Sequence, residues 1–183
     1  GFLPLVAPEL KHITVGGDAP MAISLEEEDG RIYGEFANGL AENYPASAEV
    51  FRRMMNEEGE HRRRLIETYR RRFGEHIPLI RRHDVKGFVQ RRPVWLVRPL
   101  GLDAVRRQAE TMEAETRRMY QQAALRTEDA ATRQLLGDLA DAEMQHVFSA
   151  QALEREQLTP DTRHHEEVAR RRLFVLQIIQ PAL

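Results

Sequence analysis

A chain of 183 residues with no cysteine can build one domain with a real core, but no disulfide, thiolate zinc site, rubredoxin-type iron or cysteine nucleophile. Hydrophobic residues make up 42% and charged residues 31%, and the net charge of −2 gives no global field for nucleic acid. Glu, Arg, Ala and Leu are abundant, which favours helix, so the predicted fold class is all-α. The lack of cysteine suits a reducing compartment.

Residues 1–17 hold glycines and prolines without a sustained period and read as an irregular lead-in. The apolar start (Phe2, Leu3, Leu5, Val6) has no basic region before it, so a signal peptide is not expected. Asp18 is placed to cap a first helix whose opening turn accommodates Pro20. That helix is expected to run to about Asn43, before Tyr44-Pro45. Its inward stripe is Ile23, Glu26, Gly30, Tyr33, Ala37 and Leu40, with Glu27 and Glu28 off it.

The second helix spans about Ser47 to Arg72 and stops at Gly74. Its stripe is Phe51, Met54, Glu58, His61, Leu65 and Tyr69, with Glu57 and Glu60 on the outer face. The short link at Tyr44–Ala46 makes these two helices an antiparallel hairpin. Residues 74–100, rich in proline and glycine around Trp95, read as a crossover able to carry the chain between the ends of a bundle. The third helix runs from about Asp103 to Leu125, with Ala109, Glu113, Thr116, Tyr120 and Ala123 inward. The fourth starts near Thr127 or Asp129 and runs to about Gln157, with Leu136, Leu139, Glu143, His146, Ala150 and Leu153 inward. The domain so defined covers 18–158.

Thr159-Pro160 opens a fifth helix, so 159–183 form a separate C-terminal element. Arg170-Arg171-Arg172 there precedes a mostly apolar run to Leu183. This end reads as an amphipathic helix or as the first turns of a membrane segment, since a full span needs ~20 apolar residues.

The two halves repeat. A shift of 87 superposes Glu26 on Glu113, Glu28 on Glu115, Arg31 on Arg118 and Tyr33 on Tyr120. A shift of 85 superposes Glu58 on Glu143 and His61 on His146. Each hairpin therefore offers one Glu from its first helix and Glu-x-x-His from its second, a spacing that sets both groups on one helix face.

Chance supplies roughly one Glu-x-x-His in a chain with this much Glu and His, and Glu9/His12 beside Pro8 fits that description. The pairs Glu58/His61 and Glu143/His146 differ because they interrupt apolar stripes. Four buried carboxylates need compensation, which two divalent cations supply, as would protonated carboxyls or buried arginines. Candidate ligands are therefore Glu26, Glu58, His61, Glu113, Glu143 and His146. Mixed carboxylate and imidazole donors suit two iron ions, with manganese or zinc as alternatives. A ferrous pair has two electrons for O2 or peroxide. Tyr33 and Tyr120 lie two turns beyond Glu26 and Glu113, either as core tyrosines needing hydroxyl partners or as supports for the ligands. Glu28 and Glu115 are weaker ligand candidates. The arginine runs at 62–64 and 70–72 read as solvated faces, and His164 and His165 as surface residues.

The order Glu, Glu-x-x-His, Glu, Glu-x-x-His resembles the ferritin-like superfamily and its rubrerythrin-like branch. The phrase Leu25-Glu-Glu-Glu-Asp-Gly-Arg-Ile-Tyr33 is similar to that branch's first-helix signature. Thr116 stands where rubrerythrins carry a further carboxylate, so the ligand set is closer to the six-ligand bacterioferritin type. The stretches Ala22–Asp29, Glu60–Leu65, Pro93–Gly101 and Arg171–Pro181 resemble the erythrin domain of bacterial membrane-bound ferritin, which in that family is fused to a vacuolar-iron-transporter-like membrane domain. Residues 1–21 depart from that family, which would carry a continuous helix there.

The resemblance implies a ferritin-like four-helix bundle on the cytoplasmic side of the bacterial inner membrane. It also implies iron export or detoxification under iron or peroxide stress. Ferroxidase or peroxide-reducing activity would follow from the metal pair, and a metal sensor or docking domain for the transporter is the alternative. The long crossover permits helix exchange, so a homodimer is expected.

Overall fold

The computed structural model describes residues 15–77, 101–153 and 160–179. They form α1 (Val15–Leu40), α2 (Pro45–Phe73), α3 (Leu102–Arg126), α4 (Ala130–Ala152) and α5 (Pro160–Ile179), with no strand among the described residues. The readings placed on 1–14 (including Glu9 and His12), on most of the crossover (78–100), on 154–159 and on the last four residues lie outside the described residues. No helix among the described residues is long and apolar enough to cross a membrane.

Helix α1 begins at Val15, three residues ahead of Asp18, so Pro20 lies inside the helix rather than in its opening turn. It ends at Leu40, where Tyr44 N–H donates to the Leu40 carbonyl at 2.7 Å and closes the link to α2. Pro45 opens α2, where its fixed φ suits a helix and its missing N–H costs nothing. Gly74 ends α2 at φ 91°, a conformation that favours glycine, and its N–H donates to the Arg70 carbonyl at 3.0 Å. Asp129 caps α4 by accepting from Thr132 N–H at 2.8 Å.

Helix α3 takes its cap from another element. Gly101 at its N-cap has no side chain to offer. The Glu166 carboxylate of α5 fills that role, accepting from Leu102 N–H, from Asp103 N–H at 3.4 Å and from the Tyr44 hydroxyl at 2.6 Å. A Cβ at 101 would stand 2.8 and 2.9 Å from the Glu166 oxygens, so glycine is what permits this approach. Burial and the Glu166 contact push the Tyr44 phenol well above its usual range. Glu166→Ala should cost about 1–2 kcal/mol, the worth of a good helix cap. The expected readout is a lower thermal midpoint with faster amide exchange in α5 and the start of α3, and slow exchange retained at the centre of α2.

Cross-helix contacts fix the topology. Tyr33 meets Glu113 while Tyr120 meets Glu26, so α1 and α3 run antiparallel. His61 faces Glu143 while His146 faces Glu58, so α2 and α4 do as well. With two antiparallel hairpins, α1 and α4 point one way and α2 and α3 the other. The end of α2 and the start of α3 therefore lie at opposite ends of the bundle, roughly 40 Å apart for helices of this length. This arrangement is the all-α, ferritin-like bundle.

Two apolar clusters fill the interior. One gathers Ile32, Phe36, Phe51, Met54, Val105 and Met112 with their neighbours. The other gathers Ile23, Leu65, Tyr69, Ala123, Leu136 and Leu139 with theirs. Between them in sequence, on all four helices, lie the buried polar residues Glu26, Glu58, His61, Glu113, Glu143 and His146.

Candidate metal centre

The inward stripes deliver all six candidate ligands to one place. Glu26, Glu58 and Glu113 are 1% exposed, Glu143 0%, His146 3% and His61 7%. Carboxylates this deep need partners, so their contacts decide the chemistry. The donor atoms form two groups: Glu26, Glu58, His61 and Glu143, and then Glu58, Glu113, Glu143 and His146. Within each group the atoms lie within 4.8 Å of one another.

Glu58 and Glu143 belong to both groups, and each turns a different oxygen to each half. His61 Nδ1 lies 3.2 Å from Glu58 Oε2, 3.4 Å from Glu26 Oε2 and 3.5 Å from Glu143 Oε1. His146 Nδ1 lies 3.0 Å from Glu58 Oε1, 3.5 Å from Glu113 Oε1 and 3.6 Å from Glu143 Oε2. The two imidazoles stack at 5.7 Å between centroids. Many of these atoms face one another without the alignment of a hydrogen bond. Glu26 Oε2, Glu58 Oε1, Glu113 Oε2, both Glu143 oxygens and His146 Nδ1 are buried with no hydrogen-bond partner. Lone pairs that converge without pairing fit a cation between them better than a self-sufficient polar core.

Further side chains hold the ligands. The Tyr33 hydroxyl donates to Glu113 Oε1 and the Tyr120 hydroxyl to Glu26 Oε1, each tyrosine reaching across to the other hairpin. Both rings are fully buried, so these contacts give the hydroxyls the partner that burial demands. Thr116 donates to Asp29 Oδ2 at 3.2 Å midway between those two pairs.

The six groups shift one another's proton affinities. Burial pushes Glu26 and Glu113 well above the usual carboxylate range, reinforced by the carboxylates of Glu58 and Glu143 respectively. Burial alone would raise Glu58 too, but its contacts with Glu26, His146 and His61 hold it far below that range. Glu143 is likewise lowered despite burial and the Glu58 charge, through Glu113 and both histidines. Burial opposes charge on His61, yet the facing carboxylates of Glu143, Glu26 and Glu58 push it up to about 11. Burial opposes charge on His146 as well, yet Glu113, Glu143 and Glu58 push it well above the usual imidazole range. The shifts oppose one another across the centre: Glu26 and Glu113 rise, Glu58 and Glu143 fall, and both imidazoles rise.

Two readings of the sequence change. Glu28, placed off the stripe, is 4% exposed, because α1 packs against both α2 and α3 and buries more than one face. It stands outside both donor groups, and Glu115 is part-exposed. Glu57, placed on the outer face, has a side chain 57% exposed, yet its Oε2 lies 2.7 Å from His146 Nε2. The signal available was its position one residue before a ligand, which turns it towards α4 at the stripe's edge. Glu60 does face outward and pairs with Arg63. His164 is exposed, and His165 sets its edge on the Tyr44 ring, so neither joins the centre.

Comparison with curated proteins and with solved structures gives no significant match. The sequence profile described as Rubrerythrin matches residues 20–154, which covers most of the chain and all six donor residues. The chain therefore belongs to the rubrerythrin family of the ferritin-like superfamily.

Proposed function

We propose that this chain is a di-iron carboxylate domain that binds ferrous iron and oxidises it with O2 or peroxide. The observation that carries the reading is the sharing of Glu58 and Glu143 between two donor groups, each completed by its own Glu and His. Glu26 and His61 would complete one half, Glu113 and His146 the other. Two ferrous ions would supply two electrons, enough with two protons to take O2 to hydrogen peroxide, or hydrogen peroxide to two waters. Tyr33 and Tyr120 orient the carboxylates that belong to one half only. The apolar clusters limit access of bulk water. Anaerobic ferrous titration should saturate at two ions per chain, and admitting O2 should consume it in proportion to the iron present. A wild-type chain that binds no ferrous ion would overturn the assignment.

The resemblance to the erythrin domain of membrane-bound ferritin extends the proposal to iron export or detoxification. The chain would work as a homodimer at the cytoplasmic face, beside a transporter domain. The docking of α5 on α3 supports a second reading, a metal sensor that regulates such a partner, because α3 also carries Glu113. Ferrous binding that changes amide exchange in α5 without consuming O2 would favour the sensor.

A further inference from the structure

We infer that the two halves of the centre are unequal, and that Glu57 makes the His146 half the tighter cation subsite. The inference rests on the di-metal reading and deepens it.

Glu57 accepts from His146 Nε2 at 2.7 Å, across from α2 to α4. With Nε2–H held by Glu57, any ring proton that a cation displaces is one on Nδ1, and Nδ1 is the atom that faces Glu58, Glu113 and Glu143. The ring is then fixed in both tautomer and orientation, and the carboxylate makes it more basic. The other half lacks this support. The 85-residue shift that places Glu58 on Glu143 places Glu57 on Ala142, which has no carboxylate. Among the described residues, the polar contacts of His61 all run through Nδ1, to Glu26, Glu58 and Glu143. Its tautomer is selected only when a cation arrives. Among the described residues the donor groups are otherwise alike: one private carboxylate per half, two shared carboxylates and one tyrosine on each private carboxylate. Glu57 is thus a positioning residue for His146. A first cation seats beside His146, and a second, more exchangeable one beside His61.

Cobalt(II), a redox-inert divalent probe, tests this without turnover. Calorimetric titration of metal-free wild-type protein should show two unequal steps. Crystals grown with one Co2+ per chain should show anomalous density beside His146. Glu57→Ala should weaken the tighter step about 10- to 100-fold, the usual cost of losing a carboxylate behind a metal-bound imidazole, and leave the weaker step in place. Glu57→Gln keeps an acceptor for Nε2–H and should recover part of that loss. Since Glu57 is half-exposed, neither variant removes core packing. First-equivalent density beside His61, or equal density in both halves, would overturn the inference, as would an unchanged tighter step in Glu57→Ala. Two cations bound without this order would leave the di-metal reading intact, whereas wild-type protein that binds no Co2+ would sink both.

Discussion

Glu58→Gln should weaken both cation subsites together, whereas Glu26→Gln should weaken one. Glu58 turns one oxygen to each half, so its replacement takes a charged donor from both. Glu26 contacts His61 alone of the two imidazoles. Loss of a direct ligand exceeds loss of a residue behind one, so each ion in Glu58→Gln should bind more than about 100-fold less tightly. Glutamine keeps the volume and leaves no cavity. The remaining risk is electrostatic, because the two imidazoles of the metal-free centre would lose one of the two shared carboxylates that favour their protonated form, keeping Glu143 and, for His146, Glu57. One of them is then expected to lose its proton rather than stay unpaired. Metal content by mass spectrometry of the native protein, with circular dichroism as the folding control, reads both outcomes. Equal losses in the two variants would show that Glu58 is not shared.

Helical spacing alone makes most of this cluster legible in the sequence. A core-facing stripe admits a charged group only where something compensates it, so Glu58, His61, Glu143 and His146 stood out against apolar neighbours. All the stripe positions read on α2, α3 and α4 are buried. The repeat then brought in Glu26 and Glu113. What the spacing concealed was lateral contact. Periodicity assigns a residue to a face, but Glu57 sits at the edge of its face with a side chain long enough to reach His146. Glu166 illustrates the same gap over a greater distance. It caps α3 from α5, more than sixty positions away, and neither Gly101 nor Glu166 carries a local mark of that partnership. The start of α1 escaped for a different reason. Asp18 and Pro20 form a plausible opening turn, yet the helix continues back to Val15. The protonation pattern was open in the sequence because it depends on which carboxyl faces which, and only the folded centre pairs Glu26 with Glu58 and Glu113 with Glu143.

That pattern carries the second large effect, a release of about four protons when two cations bind near pH 7. The four protons expected are those of Glu26, Glu113, His61 and His146, whose shifts all run above their ordinary values, His61 to about 11. Each group must give its proton up to act as a ligand. The binding constant for the pair should then fall by about 10⁴ for each unit of acidification, or about 100-fold per ion. Calorimetry in buffers of different ionisation heat counts the protons directly.

The same groups set opposite responses for the two forms. Above about pH 4.3 for the carboxyls and about 6.5 for the imidazoles, the unfolded chain sheds protons that the metal-free fold keeps. Folding then takes up protons, so metal-free stability rises as pH falls from 8 towards 5.5. Glu58 and Glu143 remain ionised there, since both are lowered below the usual range, and what they contribute is lost only in stronger acid. The metal-loaded form loses its cations over that interval and its added stability with them. Thermal midpoints of the two forms should therefore converge on acidification, one rising as the other falls. Parallel curves would mean that the free centre is already deprotonated at neutral pH. A release of two protons instead of four would assign them to the histidines and leave Glu26 and Glu113 ionised beside Glu58 and Glu143.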